Sequence, residues 1–312
     1  MITFAEKCDE KKMKMNRCLG VFLFLLSGLS GFGQGAFDYE YLTTSTCKDK
    51  GGDEHGSGGM MRLSGRYTLP LSHRVNDEQQ MRVWNATLSA SYNLLDNKEE
   101  AVALNPDKVL NANLTVSHMR TLSERWTLLA SLGCGVYAAP DDIRWRSLLA
   151  NGSFIFAYRL FDNLSIGIGG GLTNLYGAPM ILPMGYLNWR INGAYELTVD
   201  VANAPKVKVA KQMGRITKME LTAIEMDGMS CVMKIDGKQK IYSCTMLKSS
   251  LGASFRMNEK AAVYIGIGGV WLRSCCLTDR NLKSFFKSIG SNENKYRFGP
   301  SLRCSVGLRY SF

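Results

Sequence analysis

From residue 34 onward, apolar side chains recur at every second position. Trp126, Leu128, Ala130, Leu132, Cys134 and Val136 alternate with Thr127, Leu129, Ser131, Gly133 and Gly135. Trp84, Ala86, Leu88, Ala90, Tyr92 and Leu94 alternate with Asn85, Thr87, Ser89, Ser91 and Asn93. Leu110, Ala112, Leu114 and Val116 oppose Asn111, Asn113, Thr115 and Ser117 in the same way. A period of two sends successive side chains to opposite faces of a strand, and helix periodicity is weak. These runs exceed the about 5–6 residues of an ordinary soluble strand. They reach the about 9–11 that a tilted membrane strand needs.

Turn signals divide the runs unequally. Tight turns fall at 122–125, 161–163, 192–193 and 257–259, and longer polar stretches at 45–59, 96–107, 139–144, 227–239 and 274–294. Alternation of short and long connections is the pattern of a barrel with tight periplasmic turns and long external loops. The expected strands are 36–44, 60–72, 80–95, 108–122, 125–138, 145–160, 163–176, 184–192, 195–203, 206–213, 215–235, 239–257, 260–273 and 295–312. Fourteen is even, which puts both termini on the periplasmic side. Twelve is the alternative, because the strands within 184–226 are short and Pro205 interrupts them. The predicted fold class is all-β: a closed antiparallel up-and-down transmembrane β-barrel. An apolar face repeated on so many long strands calls for lipid around it. Every backbone amide in lipid must be paired, so the sheet must close.

The opposite face then lines a lumen. Parity places Arg62, Arg66, Arg82, Arg190, Lys206, Lys208, Lys218, Lys248, Arg256, Arg303 and Arg309 on it, against the acids Glu196, Asp200 and Glu220. Such a positive interior suits passage of small anionic solutes. It also suits a barrel filled by interlocked charges. Gly167-Ile168-Gly169 and Gly266-Ile267-Gly268 lack the rest of a dinucleotide fingerprint and open no helix, so the glycines are assigned to strand curvature and close packing. Trp84, Trp126, Tyr158, Trp189, Trp271 and Tyr310 fall near strand ends, where interfacial aromatics concentrate.

The two ends of the chain carry separate signals. Lys11, Lys12, Lys14 and Arg17 precede an apolar run from Leu19 to Leu29, and Gly31-Phe32-Gly33 supplies a small-x-small site. Residues 1–33 are therefore expected to be a signal peptide and 34–312 the barrel domain. Cleavage there removes five basic and three acidic residues and lowers the net charge from +11 to +9. At the other end Leu308, Tyr310 and Phe312 alternate with Gly307, Arg309 and Ser311. This ending resembles the C-terminal strand read by the outer-membrane barrel insertion machinery. The expected location is the cell outer membrane, with its lipid and that machinery as partners.

A wider resemblance rests on Pro179-x-x-Leu182-Pro183-x-Gly185, Asn188-Trp189-Arg190-Ile191-Asn192, Asp200, Ala204-Pro205-Lys206-Val207 and the last strand. On these residues the chain resembles an uncharacterised Bacteroidetes-type outer-membrane β-barrel family, carried as a domain of unknown function. The resemblance implies the barrel and no catalysis.

Seven cysteines follow residue 33: Cys47, Cys134, Cys231, Cys244, Cys275, Cys276 and Cys304. There is no C-x-x-C and no metal-ligand spacing, and no cofactor or nucleic-acid partner is expected. Cys231 and Cys244 flank Asp236-Gly237. A four-residue turn would set them opposite each other and permit a disulfide, whereas a two-residue turn leaves them diagonal. Cys134 and Cys304 fall on the lipid-facing set, and Cys275-Cys276 on an external loop. His55 stands on an external loop beside Asp53 and Glu54, a set that could bind a metal weakly but is more often a solvated loop. No pairing of Ser, His and acid suggests a hydrolase. The sequence thus points to a non-enzymatic barrel that passes small anionic solutes, or to a non-conducting barrel acting through its external loops.

Overall fold

The computed structural model describes residues 33–76, 80–173, 180–191, 195–200, 205–235, 238–279 and 295–311. The expected signal peptide, but for Gly33, and the terminal Phe312 lie outside them. Gln34–Ser311 forms one unit, a closed antiparallel barrel of fourteen strands.

The strands are β1 (Gln34–Lys48), β2 (Glu54–Val75), β3 (Met81–Lys98), β4 (Lys108–Thr121), β5 (Trp126–Ala138), β6 (Leu148–Phe161) and β7 (Leu164–Thr173). They continue as β8 (Met180–Ile191), β9 (Tyr195–Asp200), β10 (Lys206–Gln212), β11 (Thr217–Ile235), β12 (Lys238–Arg256) and β13 (Ala261–Asp279). The last strand, β14, comes in two pieces, Lys295–Phe298 and Ser301–Ser311, both paired with β1 and β13. Its break falls at Gly299-Pro300, where proline supplies no N–H to the ladder. Each strand pairs with its sequence neighbours, and β1 closes onto β14 from Gln34↔Ser311 to Leu42↔Arg303.

Parity follows the alternation. Leu88, Leu114, Leu132, Phe154, Ile168, Leu251, Ile265 and Leu302 are exposed on the outside, with Leu132 at 72% and Ile168 at 73%. Cys134 and Cys304 are exposed on the same face. Ser89, Ser91, Asn111, Asn113, Thr115, Ser131 and Ser153 line the inside. Burying large aliphatic side chains normally contributes about 1.5–3 kcal/mol each. A sheet that leaves so many uncovered needs an apolar surround to recover that energy. At the tight-turn end Trp84 stacks on His118 at 4.1 Å and Trp126 lies 4.9 Å from Tyr158.

Strand height is uneven. β2 has 22 residues and β11 to β13 have 19 each, whereas β9 has six and β10 seven. The wall is therefore low at β9 and β10, and the tall strands outgrow it at the long-loop end. β13 runs to Asp279, so Cys275 and Cys276 belong to a strand and not to the loop expected from 274 onward.

Candidate functional site

The tall strands close the long-loop end. β11 stays on β10 only as far as Glu225↔Lys206, and Met226 N still donates to Pro205 O at 2.7 Å. Beyond that point β11 keeps β12 on one edge and turns its other edge across the lumen. Val232 meets Ala138 of β5 in parallel register. Asn111 of β4 donates through Nδ2 to Ser230 O at 2.6 Å and accepts from Ser230 N at 3.3 Å. An uncovered strand edge carries unpaired backbone groups, and this contact covers it. Residues 228 to 232 are all buried, so β11 has protein on both faces here. The strands β6 to β10 are bypassed, and the circuit at this end narrows to the other nine.

An apolar plug fills the narrowed end. Leu42, Met60, Val109, Met229, Met246, Val270 and Phe298 pack with Cys47, Cys231, Tyr242, Cys244 and Cys275 in one buried cluster. Arg273 lies within it, 2% exposed, its guanidinium 3.5 Å from the Phe298 ring centroid and donating to Gly58 O at 2.9 Å. Stacking of that kind is how a guanidinium tolerates an apolar setting.

Beneath the plug lies a network of charges. Lys248, 1% exposed, donates to Glu40 Oε1 at 2.8 Å, to Glu40 Oε2 at 3.1 Å and to Asp227 Oδ2 at 2.6 Å. Arg62 pairs with Asp227 and donates through Nε to Asn93 Oδ1 at 2.5 Å. Arg303 pairs with Glu40 and stands 3.8 Å from Glu225, which also takes Lys206 at 3.0 Å. Five strands supply the core of this network: β1, β2, β11, β12 and β14. Pairing and hydrogen bonding between these groups offset the cost of burying their charges.

The rest of the lumen is partly hollow, with Ile155 and Met184 buried on its inward face. A cavity of about 810 Å³ is lined on β3 to β6 mainly by serine, asparagine and threonine, with Tyr137, and on β1, β2, β10, β11, β12 and β14 by charges. A second space of about 520 Å³ lies at the tight-turn end, lined by Arg66, Arg256, Lys260 and Arg309 with Glu259. Inward glycines keep the hollow open and the strands close. A Cβ on Gly133 would lie 2.6 Å from Leu114 O, and one on Gly169 would strike Phe154 O.

The structure sets the expected lumen residues at distinct levels. Arg62, Lys248 and Arg303 belong to the buried network, and Arg66 and Arg309 line both spaces. Arg256 lines only the tight-turn space. Lys218 bonds Glu196 at 3.1 Å, reaching past β10, and Lys208 stands 3.8 Å from Glu220. Arg190 shares the inward face of Met184 on β8 and is exposed near the turn. Arg82 is a correction: on β3 it shares the outward face of Trp84 and Leu88.

The charge balance is a second correction. The larger cavity carries seven basic side chains and five acidic ones, Asp38, Glu40, Glu220, Glu225 and Asp227. Strict alternation could have found Asp38 and Glu40, which interleave with Phe37, Tyr39 and Tyr41. It could not find Glu225 and Asp227. A bulge between Thr222 and Glu225 shifts the parity of β11 by one, so residues counted outward turn inward. A similar irregularity opposite Leu247/Lys248 turns Arg273 and Cys275 inward on β13.

The cysteines follow the two-residue turn. Ile235 pairs with Lys238, which sets Cys231 opposite Tyr242 and Cys244 opposite Met229. The Cys231–Cys244 disulfide is therefore not made, and both thiols are free. His55 turns from Asp53 and Glu54 to Glu100 Oε2 at 2.6 Å and Asp49 Oδ2 at 3.5 Å. The hydrogen bond to Glu100 raises its pKa. Leu308 and Tyr310 lie on the outward set of β14.

Residues 29–311 match the family model of DUF6268, a domain of unknown function. The chain belongs to this family. No curated protein matches the chain by sequence. Solved structures similar to this DUF6268 barrel include the COG4313 outer membrane channel from Pseudomonas putida F1, 12% identical, with 90% of this chain and 96% of that one covered and a TM-score of 0.48. The KdgM porin in complex with disordered oligogalacturonate is 9% identical over 89% of this chain and 99% of that one, with a TM-score of 0.32. The outer membrane protease OmpT from Escherichia coli is 9% identical over 90% and 96%, with a TM-score of 0.28.

Proposed function

We propose that this DUF6268 barrel is a non-enzymatic channel of an outer membrane, exported by its N-terminal segment. Leu308, Tyr310 and Phe312 serve as the strand that the insertion machinery reads. In this orientation the tight turns face the periplasm and the plugged end faces outside. The lumen holds a polar, water-filled hollow open to the periplasmic side, and the hairpin of β11 and β12 restricts its outer mouth.

The hollow itself carries this reading. A filled structural barrel would interlock large side chains through its whole length. Here β3 to β7 line about 810 Å³ mainly with serine, asparagine and threonine, with Tyr137 and Leu172 as the large side chains among them. Solutes entering from the periplasm meet Arg66, Arg256, Lys260 and Arg309, against Glu259 and against Asp38, which lies 2.8 Å from Arg309. The solutes favoured are small anions, by the excess of positive charge at that mouth.

Planar-bilayer recording of the purified full chain tests this. Small anion-selective steps are expected, larger when the hairpin is loosened. Silence in both the native chain and a hairpin-loosened variant, or cation selectivity, would sink the reading.

A further inference from the structure

The register of β12 on β13 sets Cys244 directly opposite Cys275. Directly opposed residues of antiparallel strands have Cα atoms about 4.5–5.5 Å apart, within the range that a disulfide spans. Both side chains point into the plug, and their Sγ atoms are 3.1 Å apart. No third ligand completes a metal site: among the described residues no group of His, Cys, Asp and Glu could hold an ion. Tyr242 OH, 3.2 Å from Cys275 Sγ, fills the remaining side.

We propose that Cys244 and Cys275 form a disulfide when the chain matures. The proposal rests on the export reading above, because the compartment must be oxidising. Two thiols lose two protons and two electrons and gain one S–S bond. The electrons pass to a disulfide-bearing oxidant, whose own S–S bond is reduced to two thiols. The exchange runs through a mixed disulfide, a thiolate of one cysteine attacking the oxidant and the second cysteine displacing it. Both cysteines are buried in the finished barrel. Oxidation therefore precedes closure of the plug, and the completed bond is then hidden from reductants. The bond joins β12, the second leg of the inward hairpin, to β13 in the wall. It fastens the plug covalently.

The full chain is refolded into lipid vesicles with a mixture of oxidised and reduced glutathione. It is then acid-quenched, denatured with N-ethylmaleimide and mapped by mass spectrometry. A peptide pair linking Cys244 to Cys275 is expected, with Cys231 alkylated. Cys275→Ser should release Cys244 to the reagent, and Cys276→Ser should leave the link intact. Alkylation of both residues in chain shown to be folded, or linkage of Cys244 to Cys231 instead, overturns the pairing. The same map on protein from cell envelopes separates the two readings. A link present after refolding but absent from cells would leave the geometry standing and remove the oxidising compartment.

Discussion

Asn111 takes the place of a strand for Ser230. Its side-chain amide donates to the Ser230 carbonyl and accepts from the Ser230 N–H, across a lumen that separates β4 from β11. An amide group can satisfy one donor and one acceptor of a backbone edge at once. That pair, with Val232 against Ala138, converts a fourteen-strand circuit into a narrower one at the long-loop end.

Replacing Asn111 with alanine removes the side-chain donor and acceptor that meet the Ser230 backbone. The expected cost is about 1–3 kcal/mol in urea unfolding from lipid vesicles. Single-channel conductance should rise, because the hairpin edge is released. Unchanged conductance would mean that the plug is held by its apolar contacts alone.

Lys248 answers two carboxylates at once. Lys248→Met would leave Glu40 and Asp227 facing each other with less positive charge, at a cost of about 3–5 kcal/mol. Its side chain is too buried for solvent to screen this. Equilibrium unfolding in urea reads the cost. A loss under about 1 kcal/mol would show the network to be solvated.

Outward and inward neighbours should respond oppositely. Leu132→Arg faces the apolar surround, and a cation near the middle of a bilayer costs about 2–4 kcal/mol. Ser131→Arg points into the hollow and should fold normally while lowering conductance. Folding yield, followed by heat-modifiable gel mobility, separates the two. Equal yields would contradict the assignment of lipid to the outer face.

Adjacent glycines provide a steric control. Gly169→Ala puts a Cβ into the carbonyl of Phe154, at an expected cost on the order of 1–3 kcal/mol. At Gly170 the nearest atom to an added Cβ is Phe154 Cζ at 3.7 Å, so Gly170→Ala should be neutral in the same unfolding assay.

His55 ties the first hairpin to the segment after β3. Its hydrogen bond to Glu100, aided by Asp49, raises its pKa above the ordinary histidine value of about 6.5. A raised folded-state value means that the tie is at full strength below about pH 6.5 and weakens as pH climbs through the folded value. An NMR titration of the His55 ring should show the upward shift, and Glu100→Gln should reduce it. A titration unaffected by Glu100→Gln would discard the contact.

Local alternation by itself determined the barrel. Two-residue periodicity marks each strand, and the spacing of turns marks their number, because pleat geometry fixes which side chains share a face whatever the partner. Fourteen strands, the exposed apolar belt and the inward positions of Arg62, Lys248 and Arg303 were legible in this way. Tertiary structure alone decided how the lumen is filled and which further charges enter it. The bulge after Thr222 reverses the parity of β11 and delivers Glu225 and Asp227 inward, and the two-residue turn after Ile235 separates Cys231 from Cys244. The crossing of β11 to Asn111 and Ala138 joins residues more than a hundred positions apart. It exists because β9 and β10 are too short to cover the edge of β11, a mismatch in height that becomes visible only once the strands stand side by side.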